Sequence, residues 1–289
     1  MSGDAHTGGL EVRGLTLQIG TSRILDGIDL DVTAGRITGL AGESGSGKTM
    51  TGLTVCGLQP AGALRGGTVT FEDSEGRIPN LLALEARAMN RLRGQRIAMV
   101  FQDPTASLHP MLSIGAQVTD HVRHHLRLSR RDARRRAVEL LERVRVPDPE
   151  SALQRYPHQF SGGQLQRIAI AIAIACDPSV LICDEPTTAL DVTVQAGILR
   201  LLRQLTDDLG LAVLLVTHDL GVMSALADTV TVMRSGSVVE HGTRYQVLRE
   251  PRSKYARELI AALPHGPIAS AVVAEPDRAG GAHPADGSR

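Results

Sequence analysis

The chain has 289 residues, 42% of them hydrophobic, and its 31 basic residues are balanced by 31 acidic ones. That length and apolar content support one large α/β domain, or a domain with a subdomain, and exclude disorder for the bulk of the chain. A formal net charge of zero argues against an overall polyanion-binding surface, and three cysteines without a C-x-x-C pair argue against a metal or disulfide framework. Cys56, Cys176 and Cys183 all lie in apolar segments and read as buried thiols of a reducing compartment. No signal peptide is visible, and the longest apolar runs, such as 168–176, reach about half of the ~18–20 residues a membrane span needs. The expectation is a cytosolic chain, unless a partner holds it at a membrane.

Taken in chain order, residues 1–9 are polar and Gly-rich and read as frayed. Short β-type runs follow at 15–19, 28–32, 37–41 and 68–71. Between the third and fourth stands Gly42-Glu43-Ser44-Gly45-Ser46-Gly47-Lys48-Thr49, which matches G-x-x-x-x-G-K-[ST] between an apolar run and a helix-like run. Glycines there let the backbone curl until its N–H groups converge on phosphate oxygens, at the positive N-terminus of the next helix. Lys48 adds a point charge and Thr49 a hydroxyl ligand for Mg²⁺. Only two of the 31 basic residues are Lys, so a Lys retained in this loop points to a site too narrow for a guanidinium.

From 81 to 175 the text reads as mostly helical, broken by a loop at 101–110. The stretch 123–145 holds nine Arg against Asp132, Glu139 and Glu142, with Ala133, Ala137, Leu141 and Val144 spaced as an apolar helical face. No aromatics are interleaved for base stacking, so a solvated basic face is the simpler reading. His121, His124 and His125 share one helix face by spacing, but no nearby carboxylate or thiol completes a metal set.

Phe160-Ser161-Gly162-Gly163-Gln164 opens a helical run, so Ser161 can donate to a phosphate at a second helix N-terminus. Buried-type strands at 180–183 and 212–217 flank a helical run at 192–209, the pattern of parallel βαβ units. The first of these strands ends in Asp184 and Glu185. Opposite a phosphate loop, Asp184 can hold Mg²⁺ and Glu185 can orient, or take a proton from, an attacking water. A hairpin is expected over 228–240, and 265–289, rich in Pro, Gly and Ala without periodicity, reads as a disordered tail. Two phosphate-type helix starts in one chain are explained if two chains pair head to tail, each lending its Ser-Gly-Gly turn to the other's nucleotide.

At this point the chain, over 10–264, resembles the ATP-binding cassette ATPases of ABC transporters. The resemblance implies a P-loop NTPase fold: a RecA-like α/β core with an antiparallel β-subdomain, plus a helical signature subdomain at about 81–175. The loop 42–49 looks like Walker A, Gln102 like the Q-loop glutamine, 160–164 like the signature motif and 180–185 like Walker B. Residues 187–191 look like the D-loop and His218 like the switch histidine. The resemblance implies that Glu185 is the catalytic carboxylate, that Gln102 senses Mg²⁺ and the attacking water, and that His218 contacts the γ-phosphate. It also implies that Asp191 communicates across a dimer of cassettes.

The blocks 100–110, 185–195 and 255–264 are similar to the oligopeptide, dipeptide and nickel importer branch, with His109 where Asn is commoner. The implied cofactors are ATP and Mg²⁺. The implied partners are a second, homologous cassette as a heterodimer, two membrane permeases and an extracytoplasmic solute-binding protein, at the cytoplasmic face of the membrane. Cassette ATPases that act on nucleic acid carry a coiled-coil or zinc-bearing insertion, or two cassettes in tandem. This chain has none of these, so nucleic acid is not expected as a partner. The family's adenine-stacking aromatic falls near Ile19, where this chain has no ring.

Overall fold

The computed structural model describes residues 8–188 and 190–262. The expected disordered tail over 265–289 and the expected cassette end at 264 lie outside the described residues. So does most of the frayed start, although Gly9, expected within it, already opens the first strand.

Among the described residues, ten strands form two sheets. Strands β1 (Gly9–Ile19), β2 (Ser22–Thr33), β4 (Leu64–Asp73) and β5 (Gly76–Ile78) make an antiparallel sheet in the order β2-β1-β4-β5. The other six are β3 (Ile37–Ala41), β6 (Ile97–Val100), β7 (Val180–Asp184), β8 (Ala212–Val216), β9 (Thr229–Arg234) and β10 (Ser237–Thr243). They run in the order β10-β9-β3-β8-β7-β6, parallel throughout except for the antiparallel β9–β10 edge.

The helices are α1 (Lys48–Val55), α2 (Ala86–Leu92), α3 (Pro104–Ser107), α4 (Ile114–Leu126), α5 (Arg130–Arg143) and α6 (Pro149–Ala152). Then come α7 (Gly162–Ala173), α8 (Val192–Leu209), α9 (Leu220–Leu226), α10 (Arg244–Arg249) and α11 (Lys254–Ala261). The segment α3 to α7 forms the helical part. Within it, α5 buries Ala133, Ala137, Leu140 and Leu141 and turns its arginines outward, where Arg134 pairs with Glu150 at 2.8 Å and Arg135 with Asp132 at 2.7 Å.

One expectation needs correction. The stretch 81–175 is not helical throughout its first part: after α2, Ile97–Val100 pairs in parallel with β7 and is the edge strand of the core sheet. Four apolar residues buried on both faces carry no alternation, so the run looks the same as a turn of buried helix. The placement matters because Gln102 then leaves the end of a core strand.

Alternation along the central strands splits the core in two. Leu181 and Cys183 face one cluster, together with α4, α5, α7 and α8, while Val180 and Ile182 face another, together with the antiparallel sheet and Val55 of α1. Asp184, two residues beyond Ile182, therefore points to the side that α1 occupies. The three cysteines are buried free thiols, and burial pushes Cys56 and Cys183 up to about 12 and Cys176 to about 11.

Candidate nucleotide site

The ends of β3, β6, β7 and β8 lie along one edge of the core sheet, so the loops that follow them converge there. They supply the phosphate loop, Gln102, Glu185 and His218. The cavity they frame has a volume of about 760 Å³ and is lined by Gly42, Glu43, Ser44, Gly45, Gly47, Lys48, Thr49, Gln102, Glu185, Thr188 and His218, with Ile24, Met50 and Leu259 as its apolar members.

The phosphate loop needs its glycines at two points. Gly47, at φ 103°, is the N-cap of α1 and offers no side chain to cap it. A Cβ on Gly42, at φ 149°, would run into the Met233 carbonyl. Lys48 is 5% exposed, and its Nζ donates to the carbonyls of Gly42 and Glu43, each at 2.8 Å, with Ser46 Oγ at 3.5 Å. Burial lowers the pKa of its ammonium, against the pull of Glu185 and Asp184. Ser46 itself is buried behind the cavity lining.

Across the cavity Thr49 Oγ1 donates to Asp184 Oδ1 at 3.0 Å. Asp184 is 3% exposed, and burial pushes its carboxyl up, with the neighbouring Glu185 adding to the rise. Glu185 leaves the strand with a left-handed backbone, φ 45°, a conformation costly for a side-chain-bearing residue and characteristic of functional sites.

Three side chains hold the Glu185 carboxylate. His218 Nδ1 meets Oε1 at 2.9 Å, while Thr188 Oγ1 and Gln102 Nε2 donate to Oε2 at 2.9 and 3.3 Å. Burial works to raise the Glu185 carboxyl, but the His218 and Thr188 hydrogen bonds, helped by the charges of His218 and Lys48, hold it below the usual carboxylate range. A carboxylate kept ionised beside a phosphate loop can accept from a water and orient it.

The other expected residues stand elsewhere. Ser161 and Gln164 form a reciprocal capping box at the start of α7: Gln164 N–H donates to Ser161 Oγ at 3.4 Å and Ser161 N–H to Gln164 Oε1 at 3.0 Å. Gly162 and Gly163 pack beside Leu190 and Val194 at the entry to α8, where a Cβ on Gly163 would collide with Val194. Asp191 caps α8, accepting Val194 N–H at 2.9 Å. None of these five lines the phosphate-loop cavity.

Ile19, expected beneath the base, is half-buried at the end of β1, and it is Ile24, just past the β1–β2 turn, that lines the cavity. His121, His124 and His125 stack edge to face along α4, with adjacent ring centroids 4.8 Å apart. Burial lowers the pKa of His121 beside Gly94, and no group of three or more metal-ligating side chains occurs among the described residues.

Thr188 lay inside a motif yet its hold on Glu185 carried no sequence signal. Leu259 and Tyr255 belonged to the branch-like C-terminal stretch without an assigned task.

This fold and edge cluster define a P-loop ATPase cassette. The ABC transporter family model matches residues 25–188, and the chain belongs to that family as one of its ATP-hydrolysing cassettes. A putative peptide import ATP-binding protein of Brucella abortus (strain 2308) is 45% identical over 260 residues, 88% of this chain and 77% of the relative. A probable peptide ABC transporter ATP-binding protein of Sinorhizobium fredii (strain NBRC 101917 / NGR234) is 46% identical over 245 residues, 84% of this chain and 72% of the relative. Among solved structures, the dimeric post-hydrolysis state of the cassette MJ0796 with ADP and Pi superposes with a TM-score of 0.69 at 28% identity, covering 81% of this chain and 98% of that one. A cassette from Clostridium perfringens, part of the cbiONQ ABC transporter complex, gives a TM-score of 0.71 at 27% identity, covering 84% and 91%.

Proposed function

We propose that this chain is the energy-coupling subunit of a membrane importer for peptides, hydrolysing ATP at the cytoplasmic face of the membrane. The observation that carries the enzymatic part is the convergence of Gln102, Thr188 and His218 on one ionised Glu185 at the mouth of the phosphate-loop cavity. Peptide import is the activity in the names of its 45–46% identical relatives, which makes peptides the first solute class to test and nickel the second.

ATP would lie with its phosphates on the loop 42–49, held by Lys48 and by the backbone N–H groups at the start of α1. Thr49, Asp184 and Gln102 would hold Mg²⁺. They offer the hard oxygen donors this ion prefers, and a cation would relieve the burial that raises the Asp184 carboxyl. Bound there, Mg²⁺ would supply charge neutralisation for the phosphates. Glu185 orients the water that attacks the γ-phosphorus and takes its proton as the bond to ADP breaks. His218 stands where it can reach the γ-phosphate while fixing Glu185.

The turn Ser161–Gln164 lies outside this cavity, which supports a site completed by a second cassette. A homologous partner cassette, two permeases docked near 102–110 and an extracytoplasmic binding protein complete the assembly. Purification from detergent-solubilised membranes, with identification of what co-purifies, tests it. Two permeases and a second cassette are expected, with ATPase activity that rises in the complex. Recovery with nucleic acid and no membrane protein would overturn the reading.

A further inference from the structure

Helix α11 is distant in sequence from the phosphate loop, yet one of its side chains lines the nucleotide cavity and another bonds the loop from behind. Tyr255 is 6% exposed, and its hydroxyl accepts the Glu43 N–H at 3.2 Å. The guanidinium of Arg234 covers its ring, 4.8 Å from the centroid. One turn on, and so on the same helix face, Leu259 lines the cavity.

The helix is pinned at its start as well. Ser253 caps it by accepting Ala256 N–H at 3.0 Å, and Glu240 of β10 accepts the N–H groups of Arg252 and Ser253 at 2.8 and 2.9 Å. The region matched by the family model ends at residue 188, well before this helix.

The cavity divides by chemistry. Lys48, Thr49, Gln102, Glu185 and His218 suit a triphosphate, which leaves Ile24, Met50 and Leu259 as the apolar lining for a nucleoside. No Phe, Tyr or Trp is among the described lining residues.

We infer that α11 is a wall of the nucleotide site: Leu259 contacts the nucleoside and contributes affinity that does not discriminate between bases, while Tyr255 is a positioning residue that acts through the Glu43 backbone. The inference rests on the nucleotide occupying this cavity. Aliphatic contacts supply area without the ring geometry that favours one base, so ATP and GTP should bind within a few-fold of each other. The bond from Glu43 fixes the loop from the side away from its ligand, so its loss acts on the phosphate end.

Titration of the full chain with ATP, GTP and inorganic tripolyphosphate separates these roles. Leu259→Ala should weaken both nucleotides about 3- to 10-fold and leave tripolyphosphate unchanged, and Leu259→Met, which keeps most of the contact area, should restore most of the affinity. Tyr255→Phe should weaken ATP and tripolyphosphate by the same factor. Unchanged ATP affinity in Leu259→Ala, or an equal loss for tripolyphosphate, would overturn the role of Leu259. ATP binding that ignores Lys48→Ala would instead sink the placement of the nucleotide, and the inference with it.

Discussion

Helices α1 and α7 both begin at glycine-rich turns, and they begin in opposite ways. At α1 the N-cap is Gly47, no side chain caps the helix, and the preceding loop wraps a buried ammonium. At α7, Ser161 and Gln164 satisfy each other's backbone in a complete capping box. A helix start left open costs stability and suits a ligand supplied to the same chain; a closed one needs nothing from its own chain. The Ser161 hydroxyl, while accepting from Gln164, keeps its own proton to donate. It can therefore serve a phosphate brought by another molecule without surrendering the cap. The difference between the two starts is what a composite site shared between cassettes requires.

The largest effect should come from the α1 half. Glu185→Gln should lower turnover by about 10²-fold or more while leaving ATP affinity intact, because the cradle of N–H groups and Lys48 is untouched. Lys48→Ala should do the reverse and weaken binding itself. Nucleotide affinity and steady-state hydrolysis measured on both variants decide the matter, and undiminished turnover in the Gln variant would remove Glu185 from its role.

The α7 half should matter only in the assembly. Ser161→Ala should cost about 1 kcal/mol of stability through the lost cap, read as a lower Tm. It should leave ATP binding by the isolated chain unchanged and reduce hydrolysis by the assembled transporter about 10-fold. A Ser161→Ala chain that binds ATP more weakly by itself would place this turn in the site of its own chain and erase the contrast.

Dilution sharpens the same comparison. If one chain carries complementary halves of two sites, specific activity should fall as the isolated subunit is diluted and rise when a second cassette and the permeases are added. Full activity at nanomolar concentration without a partner would mean that the cavity of one chain suffices.

Most of the site was legible because phosphate chemistry allows few substitutes: the Gly-rich loop, the carboxylates after an apolar strand and the histidine after the next are local patterns with a chemical cause. The βαβ pattern of β7, α8 and β8 was legible for the same reason, with α8 falling at its expected residues. What escaped depends on tertiary geometry. Strand β6 is too short and too evenly buried to show a period. Ile24 lines the cavity because the β1–β2 turn, not a count of residues, sets which side chain faces inward. Thr188 and Leu259 reach the site through a tight turn and a helix docked from the far end of the chain.

The smallest effect concerns the acid side of the pH profile and tests how the open half is tuned. Burial alone would raise the Glu185 carboxyl, yet the His218 and Thr188 hydrogen bonds and the nearby positive charge hold it below the ordinary value. A lowered carboxyl stays ionised as pH falls, so its contribution is complete above the unfolded-state value and is lost only as pH drops through the folded one. Replacing His218 removes the largest of these opposing effects. In His218→Ala the acid limb of kcat should therefore move to higher pH, separately from any fall in the plateau caused by the lost γ-phosphate contact. Thr188→Ala should move the limb in the same direction by less, since the hydrogen bond from Thr188 carries no charge of its own. An acid limb that stays in place in both variants would show that a group other than Glu185 limits hydrolysis at low pH, and that the three side chains gathered on its carboxylate hold its position without setting its protonation.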